Sequence, residues 1–139
     1  MLLRLFGAEI GSGVVIKPRV RIKFPWRLNV GSNTWIGEGV WIDNLANIDV
    51  GQNVCISQSA YFCTGSHDWS LQTFDLITMK IQVKDMSWVA AQARIGPGVT
   101  VGCGSVVCFG STLVSDSEPW SIYSGSPAML IGIRKLKVD

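Results

Sequence analysis

The sequence predicts an all-β chain wound as a parallel β-helix, a triangular prism built from stacked coils. Two columns of residues and a recurring turn carry this reading. Every sixth residue is apolar: Ile10, Ile16 and Ile22, then Val30, Ile36 and Ile42, then Val50, Ile56 and Phe62. After a gap the series resumes with Val83, Val89, Ile95, Val101, Val107 and Leu113. Four places after each of these stands a small or β-branched residue: Val14, Val20, Thr34, Val40, Ala46, Val54, Ala60, Ser66, Ser87, Ala93, Val99, Ser105, Ser111 and Ser117. Trp26 is the one exception. Glycine often follows the first column, as at Gly11, Gly31, Gly37, Gly51, Gly96 and Gly102.

A six-residue unit is one short strand and one turn. Three units bring the chain back to its starting direction, so each coil is a triangle. The large aliphatic residue points inward from the strand, and the small residue points inward where a corner leaves little room. Gly, Asn and Asp at the turns accept positive φ cheaply. Coils stack through parallel pairing at about 4.8 Å per layer, so roughly five coils give a prism about 24 Å tall. One coil cannot bury its own apolar face, and stacking supplies the burial. The stretches "IGSGVVI", "VGSNTWI" and "VGQNVCI" recur every 20 residues. Each recurrence is three sixes plus two residues that read as a corner, Leu28-Asn29 and Ile48-Asp49. The period of six excludes an amphipathic α-helix, and no long two-residue alternation suggests a sandwich.

At 139 residues the chain is one domain. It divides into a lead-in over 1–9, coils over 10–118 broken by a loop at 68–82, and a short C-terminal extension over 119–139. Hydrophobic residues make up 47% and charged residues 16%, enough for a packed core. A net charge of +2 is too small to argue for nucleic acid. The segment "MLLRLFGAEIG" has no apolar run of the length a signal peptide or membrane span needs, so a cytoplasmic chain without stable membrane insertion is expected. Cys55, Cys63, Cys103 and Cys108 form no C-x-x-C, and a single histidine cannot complete a zinc site of the usual spacing. No metal is expected, and the thiols read as free.

That histidine, His67, lies in "YFCTGSHDWS", where the pattern breaks. Phe62 to Val83 is not a multiple of six, so a loop leaves the prism just after His67. The residues alone allow a solvated loop histidine or a base at the mouth of a cleft with the loop as one wall.

The repeat resembles the hexapeptide-repeat acyltransferases. The segments "LLRLFGAEIG", "FPWRLNVG", "CISQSAYFCTGSHDW", "SWVAAQARIGPGVTVG" and "SGSPAMLI" resemble one subfamily more closely, the acetyltransferases of colanic-acid and other exopolysaccharide biosynthesis. The resemblance implies a left-handed coil and a homotrimer. It also implies acetyl-CoA as acyl donor, a saccharide or nucleotide-sugar acceptor, and His67 as catalytic base. A sugar hydroxyl is a poor nucleophile toward a thioester until its proton is taken. Imidazole titrates close enough to neutrality to take it, and such help is worth about 10²- to 10⁴-fold.

The resemblance also implies the acyl-donor half of the site, while the acceptor-side candidates come from position and residue type alone. Trp88, Ala90 and Ala91 flank the pantetheine groove. Phe109, Gly110 and Ser111 stand where Ala-Gly-Ser is usual, and the larger Phe109 narrows that groove. Gly125, Ser126 and Pro127 match an element near the adenine, and Arg134, Lys135 and Lys137 form a basic tail suited to CoA phosphates. On the acceptor side, Asn44 and Asn47 are candidates to orient His67, with Asp68 beside it. Tyr61, Trp69 and Trp41 could offer flat faces to a pyranose. The competing readings are a non-catalytic trimeric scaffold and a γ-type carbonic anhydrase, which needs three histidines where this chain has one. A two-step route through an acetylated Cys63 is a further possibility for the mechanism.

Overall fold

The computed structural model describes residues 1–138. Its strands form three parallel walls. Wall one is Glu9–Ile10, Leu28–Val30, Ile48–Val50, Ile81–Val83 and Thr100–Val101. Wall two is Val15–Ile16, Trp35–Ile36, Cys55–Ile56, Trp88–Val89, Val106–Val107 and Ser121–Gly125, with Ala128–Ile133 folded back antiparallel at its upper edge. Wall three is Arg21–Ile22, Trp41–Asp43, Tyr61–Cys63, Arg94–Ile95 and Thr112–Leu113. The chain visits the walls in the order one, two, three, so the first corner joins one to two, the second joins two to three, and the third returns to wall one.

The six-residue column is the core. Its members lie in register from layer to layer: Ile10 on Val30, Val30 on Val50, Val50 on Val83 and Val83 on Val101. From Val30 upward the column is buried. Ile16 and Ile22, at the open lower end, are only half-buried. Wall one holds a second inward column, Leu28, Ile48 and Ile81, all fully buried. These include the residues read from sequence as corner insertions. A three-residue strand turns its first and third side chains to the same side, so each insertion adds a core residue.

The third corner departs from the expected pattern in the lower three layers, whereas Val99 and Ser117 above are buried as expected. Trp26 is exposed, and Ala46 and Ser66 are only half-buried. The inward positions are Asn44 and Thr64, two places after the core column, and both are fully buried. Asn44 Oδ1 accepts from the Phe24 N–H at 2.9 Å, and its Nδ2 donates to the carbonyls of Phe24 and Arg27 at 2.8 and 3.1 Å. Thr64 Oγ1 donates to the Asp43 carbonyl and accepts from the Ala46 N–H. Polar side chains therefore satisfy a corner whose backbone has left the regular turn. At the first corner Gly104, at φ +67°, has no alternative: the Trp120 ring lies 2.4 Å from where a Cβ would stand.

Two boundaries move. The excursion is a β-hairpin, not a loop over 68–82. Gly65–His67 pairs antiparallel with Leu76–Thr78, and Ile81 has already rejoined wall one against Ile48. The coils also run past residue 118, because Ser121–Gly125 continues wall two in parallel register, Ile122 on Val106 and Tyr123 on Val107. Among the described residues no helix is long and apolar enough to cross a membrane. The α-helix Leu2–Leu5 is a single turn.

Candidate active site

His67 ends the first strand of the hairpin that replaces the third corner in the middle layer. Its backbone pairs opposite Leu76. Its ring Nδ1 lies 2.8 Å from the Phe74 carbonyl oxygen across the hairpin. A carbonyl can only accept, so Nδ1 carries the hydrogen in the neutral ring. Nε2 is left with the free lone pair. The orienting group is therefore a main-chain oxygen of the same hairpin. Phe74 sits at φ +47°, an unfavourable region for a bulky residue. It is held there by its N–H to the Leu71 carbonyl and by the Asp68 N–H to the Asp75 carbonyl.

Around the ring, Ser66, His67, Asp68, Trp69, Ile77 and Met79 line a cleft of about 320 Å³. Trp69 is 83% exposed, so its face is open to a ligand. Asp68 points elsewhere: its Oδ1 accepts from the Ser70 hydroxyl at 2.5 Å and the Ser70 N–H at 3.0 Å. Those bonds hold its carboxyl below the usual aspartate range. The cleft is thus one base among mostly apolar walls, which suits taking a proton from a neutral hydroxyl.

Four of the expected acceptor residues lie elsewhere: Asn44, Asn47, Tyr61 and Trp41. Asn44 is buried and all its amide bonds go to its own corner, so it neither orients His67 nor reaches a ligand. Asn47 is exposed, and its carbonyl receives the Ile81 N–H as the chain returns from the hairpin. Tyr61 belongs to a stack on wall three. Its ring lies 4.7 Å from that of Trp41, whose other neighbour is the Arg21 guanidinium at 4.2 Å. The Tyr61 hydroxyl donates to Asp43 Oδ2 at 3.2 Å. Burial, and then the neighbouring Cys63 and Asp43, push this phenol well above its ordinary value. Trp41 and Tyr61 are wall, and Trp69 alone offers a free aromatic face. Cys63 donates its thiol to the Gly65 carbonyl at 3.2 Å.

Of the residues expected on the acyl-donor side, Ala91, Phe109, Gly110, Ser126 and Pro127 lie about the second corner. The Gly110 N–H donates to the Ala91 carbonyl one layer below, and the Gly125 N–H donates to Ser111 Oγ from above. Ala91, Gly110 and Gly125 therefore follow one another up the same edge, with Ser126 and Pro127 in the turn at its top. A Cβ built on Gly110 would meet nothing within 4 Å, so the edge is open at that point. Phe109, 70% exposed, projects beside it. Ala90 is buried but stands outside the core cluster that holds Val89 and Ala93. Trp88 lies on the outer face of wall two, its Nε1 donating to Ser57 Oγ at 2.9 Å.

Arg134 is a correction. Its guanidinium donates to the carbonyls of Met86 and Gly104 at 2.6 and 3.0 Å and packs on Trp120, all at the first corner. It fastens the returning strand to the prism and is not at the groove. Lys135 and Lys137 remain exposed.

The chain is 41% identical over 130 residues to the Escherichia coli (strain K12) protein WcaF, named as a colanic acid biosynthesis acetyltransferase, covering 94% of this chain and 71% of that one. The chain belongs to this family of hexapeptide-repeat acetyltransferases. The hexapeptide-repeat acetyltransferase VCA0836 of Vibrio cholerae superposes with a TM-score of 0.91 at 28% identity, over 96% of this chain and 78% of that one. The same Vibrio enzyme solved with acetyl-CoA superposes at 0.90. The galactoside O-acetyltransferase of Escherichia coli is 23% identical over 94% of this chain and 66% of its own length. No family model matches. Like its family, this acetyltransferase is a left-handed parallel β-helix. Among its described residues no three His, Cys, Asp or Glu side chains converge as a metal site.

Proposed function

We propose that this acetyltransferase moves an acetyl group from acetyl-CoA to a hydroxyl of a saccharide or nucleotide sugar, in polysaccharide biosynthesis, with His67 as general base. The observation that carries the proposal is the Nδ1 contact with the Phe74 carbonyl, which leaves Nε2 as an acceptor facing an apolar cleft. Nε2 takes the hydroxyl proton as the sugar oxygen bonds to the acyl carbon. As the carbon–sulfur bond breaks, the imidazolium returns that proton to the sulfur. The ring ends in its starting tautomer, and no group on the protein is acylated.

The donor fits the second corner. Ala91, Gly110 and Gly125 leave room for an extended pantetheine arm, and Phe109 bounds it.

The assembly we infer is a homotrimer. His67 leaves from the third corner and the small-residue edge is the second corner, so the full width of wall three separates them in one chain. A site using both halves needs His67 of one copy against the groove of a neighbour. Wall two presents an apolar outer ladder for such contact, Val15, Trp35, Cys55 and Trp88 in register. The test is release of free CoA thiol from acetyl-CoA in the presence of a panel of nucleotide sugars and oligosaccharides. Release with at least one acceptor is the expected result, and absence of CoA binding would favour a non-catalytic scaffold.

A further inference from the structure

We propose that the lower end of the prism, where the chain enters, docks peripherally on an anionic lipid bilayer. The helical turn Leu2–Leu5 packs on the core through Leu3. Its other side is also apolar: Leu2 is 67% and Leu5 82% exposed, and Phe6 beside them is 58% exposed. Trp26, 58% exposed, adjoins this patch, with its Cβ 3.0 Å from where a side chain on Gly7 would stand. A turn facing only water would show polar residues on the side the core does not use.

The charge of the same end selects the occupant. Residues 1–37 hold six Lys and Arg and a single acid, Glu9, a net of +5 in a chain whose total is +2. Residues 38–139 therefore carry −3. Two of the six cations pair with carboxylates one layer up, Arg19 with Glu38 and Lys23 with Asp43. The other four keep their charge uncompensated. Arg4 and Arg27 donate to main-chain carbonyls, and Lys17 and Arg21 lie over the rings of Trp35 and Trp41. A second copy placed on this end would face the same positive field. An anionic headgroup layer complements it. Leucine and phenylalanine reach the acyl boundary, tryptophan favours the interface, and Lys and Arg meet the headgroups. Among the described residues no helix is long and apolar enough to cross a membrane, and a contact made through headgroup charge is reversible and salt-sensitive.

The experiment is co-sedimentation of the chain with vesicles of phosphatidylcholine alone and of three parts phosphatidylcholine to one part phosphatidylglycerol. Partition onto the anionic vesicles should be about tenfold stronger and should fall steeply by about 0.5 M salt. The pair Leu5→Ser and Phe6→Ser should lower it about tenfold while salt dependence persists. The substitution Arg21→Gln, away from the wall-two ladder, should lower it and weaken the salt dependence. All these side chains are exposed, and circular dichroism melting checks that both variants fold. Equal partition onto neutral and anionic vesicles, or none onto either, overturns the proposal. So does loss of oligomer mass in the Leu5→Ser, Phe6→Ser variant, which would assign the patch to a protein partner.

Discussion

At the scale of single residues, the proposed base His67 depends on another group to decide its tautomer. The Phe74 carbonyl takes the Nδ1 hydrogen and leaves Nε2 basic. ¹⁵N shifts of the ring should therefore report the Nδ1–H tautomer in the neutral enzyme. Replacing His67 by Ala should lower kcat by about 10²- to 10⁴-fold while acetyl-CoA still binds, because the donor edge lies at another corner. Steady-state kinetics with an identified acceptor, beside calorimetric CoA binding, separate the two effects; near-normal turnover would remove the base from the mechanism. Tyr61 makes a different residue-scale prediction. Its phenol is raised in the folded state above the ordinary value of 10.0. The folded chain thus keeps a proton that the unfolded chain releases above pH 10, so stability is full below that pH and declines as pH rises past it. Tyr61→Phe should flatten the fall of thermal midpoint with pH in that alkaline window, and an unchanged slope would count against the assignment.

At the scale of elements, the third corner is where the prism is polar inside and where the hairpin leaves. Asn44→Ala removes three hydrogen bonds from a buried site and should cost about 2–4 kcal/mol, read as a lower denaturation midpoint. Ile36→Asp tests the regular part: a carboxylate in the fully buried column should cost several kcal/mol of a total of about 5–15 and leave the chain unfolded. The walls were legible in the sequence because side chains four and six apart repeat the same demand in every layer. The third corner was not, because its lower three layers are each met by different residues, and only Val99 and Ser117 above them keep the repeat. Trp26 was the sign of it: the one misfit in the small-residue column marks a position that faces water. The tautomer-setting group could not be read at all, since any residue at 74 brings a carbonyl and only the hairpin register aims it. Arg134 misled for a related reason. A cation after the last strand suits a phosphate or a row of corner carbonyls equally well, and the fold supplies the carbonyls.

At the scale of the whole molecule, the two halves of the proposed site stand on different corners of each prism, and this makes the assembly testable through activity. His67→Ala keeps the donor edge and loses the base. Gly110→Trp keeps the base and fills the edge; the space beside Gly110 is open, but its φ of +66° strains any side chain, so circular dichroism melting checks that this variant folds. Each variant alone should be nearly inactive. If one copy supplies His67 and a neighbour supplies the groove, unfolding and refolding the two together at equal concentration creates sites with both parts intact. Random assembly in a closed ring of three gives a good base beside a good groove in about a quarter of sites, so activity should recover to about a quarter of the native level. Light scattering on the same sample should give a particle three times the 15.1 kDa chain. If each chain instead completed its own site, no recovery would occur at any mixing ratio, because no single chain in the mixture carries both parts. A monomer in solution at micromolar concentration would remove the shared site altogether and leave His67 without a donor groove within reach.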